Sequence, residues 1–140
     1  MWEPLGGRPS TVNHANEANR DGSIAVSSDG YLYVIDPAKD RILRTMDGHV
    51  SSEIRASSDG VDRKLSEKFA VSNKDLFAMD ADGLMLHVWT TEGKPVLDVD
   101  LAPQLGQSVR SAPAVAVSSR GELLVLDDRE SRVLRYRINF

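Results

Sequence analysis

Short continuous apolar runs punctuate this chain, each set off by turn-forming residues. The clearest are Tyr31 to Ile35, Leu76 to Met79 and Leu123 to Leu126. They have the length of strands, and an unbroken apolar run, unlike strict alternation, predicts a strand buried on both faces. Ahead of each lies a shorter stretch of small and β-branched residues: Ile24 to Ser27, Phe69 to Ser72 and Val115 to Ser118. The intervening Ser28-Asp29-Gly30, Asn73-Lys74-Asp75 and Ser119-Arg120-Gly121 carry hairpin-turn chemistry. An aspartate closes each run (Asp36, Asp80, Asp127) and opens a second turn, with Pro37 in the first case and Asp82-Gly83 in the second. Third strands follow over Arg41 to Met46, Met85 to Thr90 and Arg132 to Ile138. A weaker fourth is best seen over Pro95 to Leu101.

These elements form a repeat. Ala25, Ala70 and Ala116 are spaced by 45 and 46 residues. From alanine to aspartate is 11 positions in the first and third copies and 10 in the second, a one-residue deletion in the tight turn. From the aspartate to the next apolar strand residue, Ile42, Leu86 or Val133, is 6 in every copy. Two hairpin turns and four strands per ~40–50 residues describe the blade of a β-propeller. Sheets that are apolar on both faces need covering on both sides, and radial stacking supplies it. The alanines fall in the strand nearest the axis, where space is narrowest.

The string apolar-Ala-Val-Ser-x-x-Gly-x-Leu-x-Val-x-Asp, followed by a polar turn and Arg-Ile or Arg-Val, resembles the NHL repeat over about residues 22–140. Copy two departs from it, lacking the first-turn glycine and carrying Met85 where Arg41 and Arg132 stand. Other six-bladed propellers carry similar strings. The expected class is therefore all-β, with propeller blades of four antiparallel strands in about three repeats (22–66, 67–112 and an incomplete 113–140). Residues 1–21 form an N-terminal segment that could supply an outer strand of a neighbouring blade. Three blades cannot close a ring, and closure is what removes sheet edges. The expectation is a partial propeller completed by another segment or by self-association, with an aggregation-prone isolated monomer.

Composition narrows the function classes. The chain has 140 residues, 41% hydrophobic and 27% charged, the profile of an ordinary globular domain. A net charge of -4 argues against general nucleic-acid binding. No apolar run approaches the ~20 residues of a membrane span, and residues 1–10 lack the apolar core of a signal peptide. There is no cysteine, which excludes disulfides, thiolate metal sites and cysteine nucleophiles. This fits a reducing, cytoplasmic setting without fixing the compartment.

The candidate chemical residues have structural readings. Asp36, Asp80 and Asp127 recur at one turn, so a backbone-accepting role in every blade outweighs metal binding. Arg41 and Arg132 are expected to pair with turn carboxylates or carbonyls. His14, His49 and His87 occupy unrelated repeat positions without metal-ligand spacing and are expected on surfaces or loops. The resemblance to NHL-like amidating lyases implies histidines from several blades on zinc, but these three do not map onto that arrangement. Gly6-Gly7-Arg8 is too short for a phosphate loop. Trp89 is expected in the core. The insertion Val50 to Lys68, charged over Asp62 to Lys68, is expected to be a solvated loop or short helix. No catalytic, cofactor-binding or metal-ligating residue is assigned, and no cofactor is expected.

Three functions follow in order. The first is a non-enzymatic scaffold binding a protein partner, or itself, through rim loops and open blade edges. The second is a fragment of a metal-dependent propeller lyase or lactonase/esterase, which would need acidic or histidine residues near Ile24, Phe69 and Val115. The third is RNA binding, known for some NHL propellers, through the local run of Arg129, Arg132, Arg135 and Arg137.

Overall fold

A computed structural model describes residues 23–81, 84–105, 113–127 and 130–137. Three antiparallel sheets follow one another along the chain. The first holds β1 (Ile24–Val26), β2 (Leu32–Asp36), β3 (Arg41–Met46) and β4 (His49–Arg55). The second holds β5 (Leu65–Val71), β6 (Asp75–Asp80), β7 (Met85–Thr90) and β8 (Pro95–Asp100). The third holds β9 (Val115–Val117), β10 (Glu122–Asp127) and β11 (Arg132–Arg137). In each sheet the spatial order is the chain order. Helical structure among the described residues is limited to a 3₁₀ turn at Pro37–Lys39 and one α-turn, Ala102–Leu105. The architecture is an all-β partial propeller, with blades 1 and 2 complete at four strands and three strands described for blade 3.

Local chemistry explains the hairpins. Gly30 (φ 92°) and Gly121 (φ 76°) close the first turns of copies one and three in the left-handed region that favours glycine. Copy two omits that residue. Its shorter turn is closed by Ser72, whose backbone N–H donates to the Asp75 carbonyl (2.8 Å) and whose hydroxyl accepts from the Asp75 N–H (2.9 Å). The one-residue deletion thus removes the need for glycine.

The segment expected as a solvated insertion is mostly strand. Asp47 (φ 53°) and Gly48 (φ 79°) form a two-residue turn that folds the chain back into β4. Leu65 to Lys68 opens β5, leaving residues 56–64 as the connection. β4 alternates along its length, with Ile54 buried and Glu53 and Arg55 turned outward. Its charged outward positions give it a polar appearance in the sequence, although an Asp-Gly pair between apolar stretches is a strong hairpin signal.

Stacking of the blades creates two apolar layers. Between blades 1 and 2 lie Tyr33, Ile35 and Ile42 from one side and Phe69, Leu76, Ala78 and Trp89 from the other. Between blades 2 and 3 lie Phe77, Met79, Leu86 and Val88 against Leu123 and Val125. Trp89 is fully buried, as the sequence suggested. β5 packs against both β1 and β9, so the alanine-bearing strands line one side of the stack.

Candidate functional site

Residues three strands deep in each blade divide by parity, one set towards the following blade and one towards the preceding blade. The repeat places equivalent residues on equivalent sides, so each open side can be compared with a closed one. On the following-blade side, Ile35 and Met79 are 0% exposed, whereas their equivalent Leu126 is 43% exposed. Ile42 is 0% and Leu86 3% exposed, whereas Val133 is 55% exposed. Ala25 is half-buried and Ala70 buried, whereas Ala116 is exposed. Blade 3 therefore presents an apolar face that the same positions bury elsewhere.

The preceding-blade side of blade 1 is the counterpart. Ile24 and Val26 are 66% and 65% exposed, while Phe69 is buried and Val71, Val115 and Val117 are half-buried. Val34 and Leu43 on that same side are buried, which confines the opening to the inner strand. Exposed apolar surface gathered at equivalent positions marks a contact surface more than scattered single residues do.

The recurring aspartates sit at one register position, cross-strand from the residue five places on. Asp36 accepts from Arg41 Nε at 2.9 Å, and Asp127 from Arg132 Nε at 2.8 Å. Arg41 also reaches Glu53 of β4 (3.3 Å). Burial opposes the charge on Arg41, yet its bonds to Asp36 and Glu53 outweigh that and raise its pKa. Asp127 additionally accepts the Glu130 N–H of its turn (3.3 Å). The Arg41 and Arg132 pairings are those expected from the sequence, whereas the expected backbone-accepting role is shown at Asp127 and Asp36 makes no side-chain cap bond to its 3₁₀ turn.

Copy two meets the same need differently. With Met85 in the arginine's place, His87 lies with Nε2 2.9 Å from Asp80 and Nδ1 2.6 Å from Asp98. Asp98 stands on β8 where Glu53 stands on β4, each directly cross-strand from equivalent residues His87 and Leu43. The expectation of a surface histidine is thus overturned for His87, which is buried at the junction of blades 1 and 2. The missing arginine was the available signal: an aspartate retained without its usual cation needs another donor. His49 is exposed at the start of β4, and His14 lies outside the described residues.

Asp98 continues the network into the 56–64 connection. Arg63, buried, donates to Asp98 (3.0 and 3.2 Å), to Asp59 (2.6 and 2.9 Å) and to the Ala56 carbonyl (2.8 Å). Hydrogen bonds from Arg63 hold Asp59 down at about 2, and its bonds to both carboxylates raise the pKa of Arg63 itself. Burial pushes Asp98 up, but the bonds from Arg63 and His87 win and leave it lowered. The cluster is internally compensated, and among the described residues no group of three or more His, Cys, Asp or Glu is arranged to hold a metal ion.

Two further regions complete the surface. The first-turn hairpins converge on an open cleft of about 560 Å³ lined by Ser28, Ser72, Asn73, Lys74, Ser118 and Ser119. Its Ser72 and Ser118 hydroxyls accept backbone N–H groups of their own turns. Of the C-terminal arginines, Arg135 forks onto Glu122 (2.8 and 3.0 Å) and Arg132 is held by Asp127. Arg129, Trp2 and Gly6-Gly7-Arg8 lie outside the described residues. No described helix is long and apolar enough to cross a membrane.

No family model and no curated protein sequence matches the chain. Solved structures do match its fold. Hydrazine synthase of Kuenenia stuttgartiensis aligns with a TM-score of 0.54 at 15% identity, over 80% of this chain and 34% of that one. A streptogramin B lyase aligns at 0.53 and 14% identity, over 84% of this chain and 40% of its own. A virginiamycin B lyase from Staphylococcus aureus aligns at 0.53 and 14%, over 85% and 42%. At such identities the likeness concerns the fold alone. The chain spans 34–42% of the length of these propeller-type structures.

Proposed function

We propose that this chain is a non-enzymatic β-propeller scaffold of NHL type, which works by engaging protein through its open blade faces. The observation that carries this reading is the face of blade 3, where Leu126, Val133 and Ala116 are exposed at positions buried in blades 1 and 2. An apolar sheet face of this kind gains by being covered, at about 25 cal/mol per Å² of apolar area removed from water. The titratable residues support the same conclusion. Asp36, Asp80, Asp98, Asp127 and His87 each hold a neighbouring side chain, within blades or at their junction.

A second reading, a fragment of a propeller lyase, draws on the names of two structural neighbours. Native mass spectrometry combined with elemental analysis separates the two. The scaffold reading expects metal-free assemblies heavier than the 15.4 kDa chain, dispersed by Val133→Asp. A stoichiometrically retained zinc or calcium ion would favour the lyase and count against the scaffold.

A further inference from the structure

Ser28, Asn73 and Ser119 stand at one repeat position, three residues after the inner-strand alanine of each blade, with spacings of 45 and 46. At the junction of blades 1 and 2 two of them meet: the Ser28 hydroxyl donates to Asn73 Oδ1 across the blades. At the junction of blades 2 and 3 the same contact is not made, although the inner strands β5 and β9 pack together there too. With its oxygen taken by Ser28, the Asn73 amide has its nitrogen left to donate. Neither that nitrogen nor the Ser119 hydroxyl has a hydrogen-bond partner among the described residues. Both line the open cleft of about 560 Å³. Its walls come from the first turns of three successive blades, with blade 2 in the middle, so the internal junctions alone set its shape.

Asp75 and Lys74 supply the rest of the chemistry. Asp75 shares its strand side with Phe77, which packs towards blade 3, so its carboxylate is directed to the blade 3 side of the cleft. That carboxylate accepts no hydrogen bond among the described residues, and burial pushes its pKa up against the opposing charge of Lys74. A half-buried acceptor without donors costs stability that a ligand's hydroxyls offset. The Ser72 and Ser118 hydroxyls accept the backbone N–H groups of residues 74, 75, 120 and 122, so both turns are fixed before anything binds.

We propose that this cleft binds a neutral, polyhydroxylated small molecule, a saccharide of one or two rings. Vicinal hydroxyls both donate and accept, which matches a carboxylate acceptor set beside amide, hydroxyl and ammonium donors. Asp75 and Lys74 leave the lining without net charge, so it favours neither a phosphate nor a lone cation. Val71 and Val117 give an apolar patch for the C–H face of a sugar ring, and the volume falls within the range of about 300–1,000 Å³ for small-ligand sites. The cleft is separate from the open blade faces, so its test can fail without touching the scaffold reading.

That test follows the amide NMR resonances of the isotopically labelled chain on titration with D-glucose, D-galactose, D-mannose, lactose and maltose, and in parallel with inorganic phosphate and glycine. At least one saccharide is expected to shift residues 72–75 and 117–119 together, while phosphate and glycine leave them in place. Asp75→Asn removes a charged acceptor and is expected to weaken that saccharide about tenfold or more, and Asn73→Ala about threefold to tenfold. Because burial works against the charge at position 75, Asp75→Asn is expected to unfold no earlier than the native chain, which separates lost binding from lost fold. Should Asp75→Asn fail to fold, Asn73→Ala, on an exposed turn, still decides the matter. No shift with any of these saccharides overturns the proposal. So do shifts centred elsewhere, shifts produced equally by phosphate or glycine, or a saccharide affinity unchanged in both variants.

Discussion

Truncating a leucine should cost very different amounts on the closed and open sides of the same repeat. Leu86 on β7 is 3% exposed and sits between blades 2 and 3. Leu86→Ala removes buried apolar volume and leaves a cavity, at about 3 kcal/mol within the usual range of about 2–5. Leu126 on β10 points the same way from blade 3 but is 43% exposed. With no described blade packed across from it, truncation opens no enclosed cavity there, and the remaining burial accounts for about 1 kcal/mol. Urea unfolding of dilute protein, followed by tryptophan fluorescence, should show this gap of about 2 kcal/mol. Covering the face changes the prediction. At concentrations where copies associate, binding to the folded state adds to stability, and the cost of Leu126→Ala should rise towards that of Leu86→Ala. The Leu86→Ala cost should not depend on concentration. Equal costs for the two variants in dilute solution would refute the assignment of open and closed sides. A Leu126→Ala cost that stays flat on concentrating would refute a role for that face in association.

Three further outcomes test the polar junction and one turn. His87→Leu removes the imidazole that bridges Asp80 and Asp98 and should destabilise by about 1–3 kcal/mol. Adding Met85→Arg gives copy two the pairing of copies one and three, and should recover at least half of that loss in thermal unfolding; no recovery would refute the equivalence of His87 and the arginines. Asp59 and Asp98 both have pKa values lowered on folding, Asp59 from 3.8 to about 2. The Asp59 contribution is therefore complete above the ordinary carboxylate range and is lost as pH falls from 3.8 towards about 2, and the lowered Asp98 acts in the same direction. The stability difference between the native chain and Arg63→Met should shrink across that window, and a constant difference in acid titrations would contradict the network. Gly93 has φ 95°, and an added Cβ would lie 3.2 Å from Ile54 Cγ1. Gly93→Ala should cost about 1–3 kcal/mol in equilibrium unfolding, and a neutral result would contradict that turn geometry.

The repeat made much of the fold legible. Continuous apolar runs, glycine-bearing turns and a fixed six-residue step from aspartate to an apolar strand residue are local signals, and each third strand begins one residue before the position that step reaches. β4 was less legible because only one of its faces is buried: Glu53 and Arg55 gave it the look of a loop, although Asp47-Gly48 marked its turn. The Asp–Arg pairs could be anticipated, since their partners are cross-strand neighbours in one hairpin. His87 could not, because its partners, Asp80 and Asp98, come from two different strands, β6 and β8.

What the sequence by itself determined is the unit: four strands, their turns, and which residues alternate to each side, all set by short-range backbone chemistry and by periodicity. Which sides are covered depends on stacking between units far apart in the chain. Leu126 and Ile35 look alike in the repeat, and only the tertiary structure shows one open and the other sealed. Burial is a property of neighbours in space, and a repeat that writes the same residues into every blade says nothing about which blade lacks a neighbour.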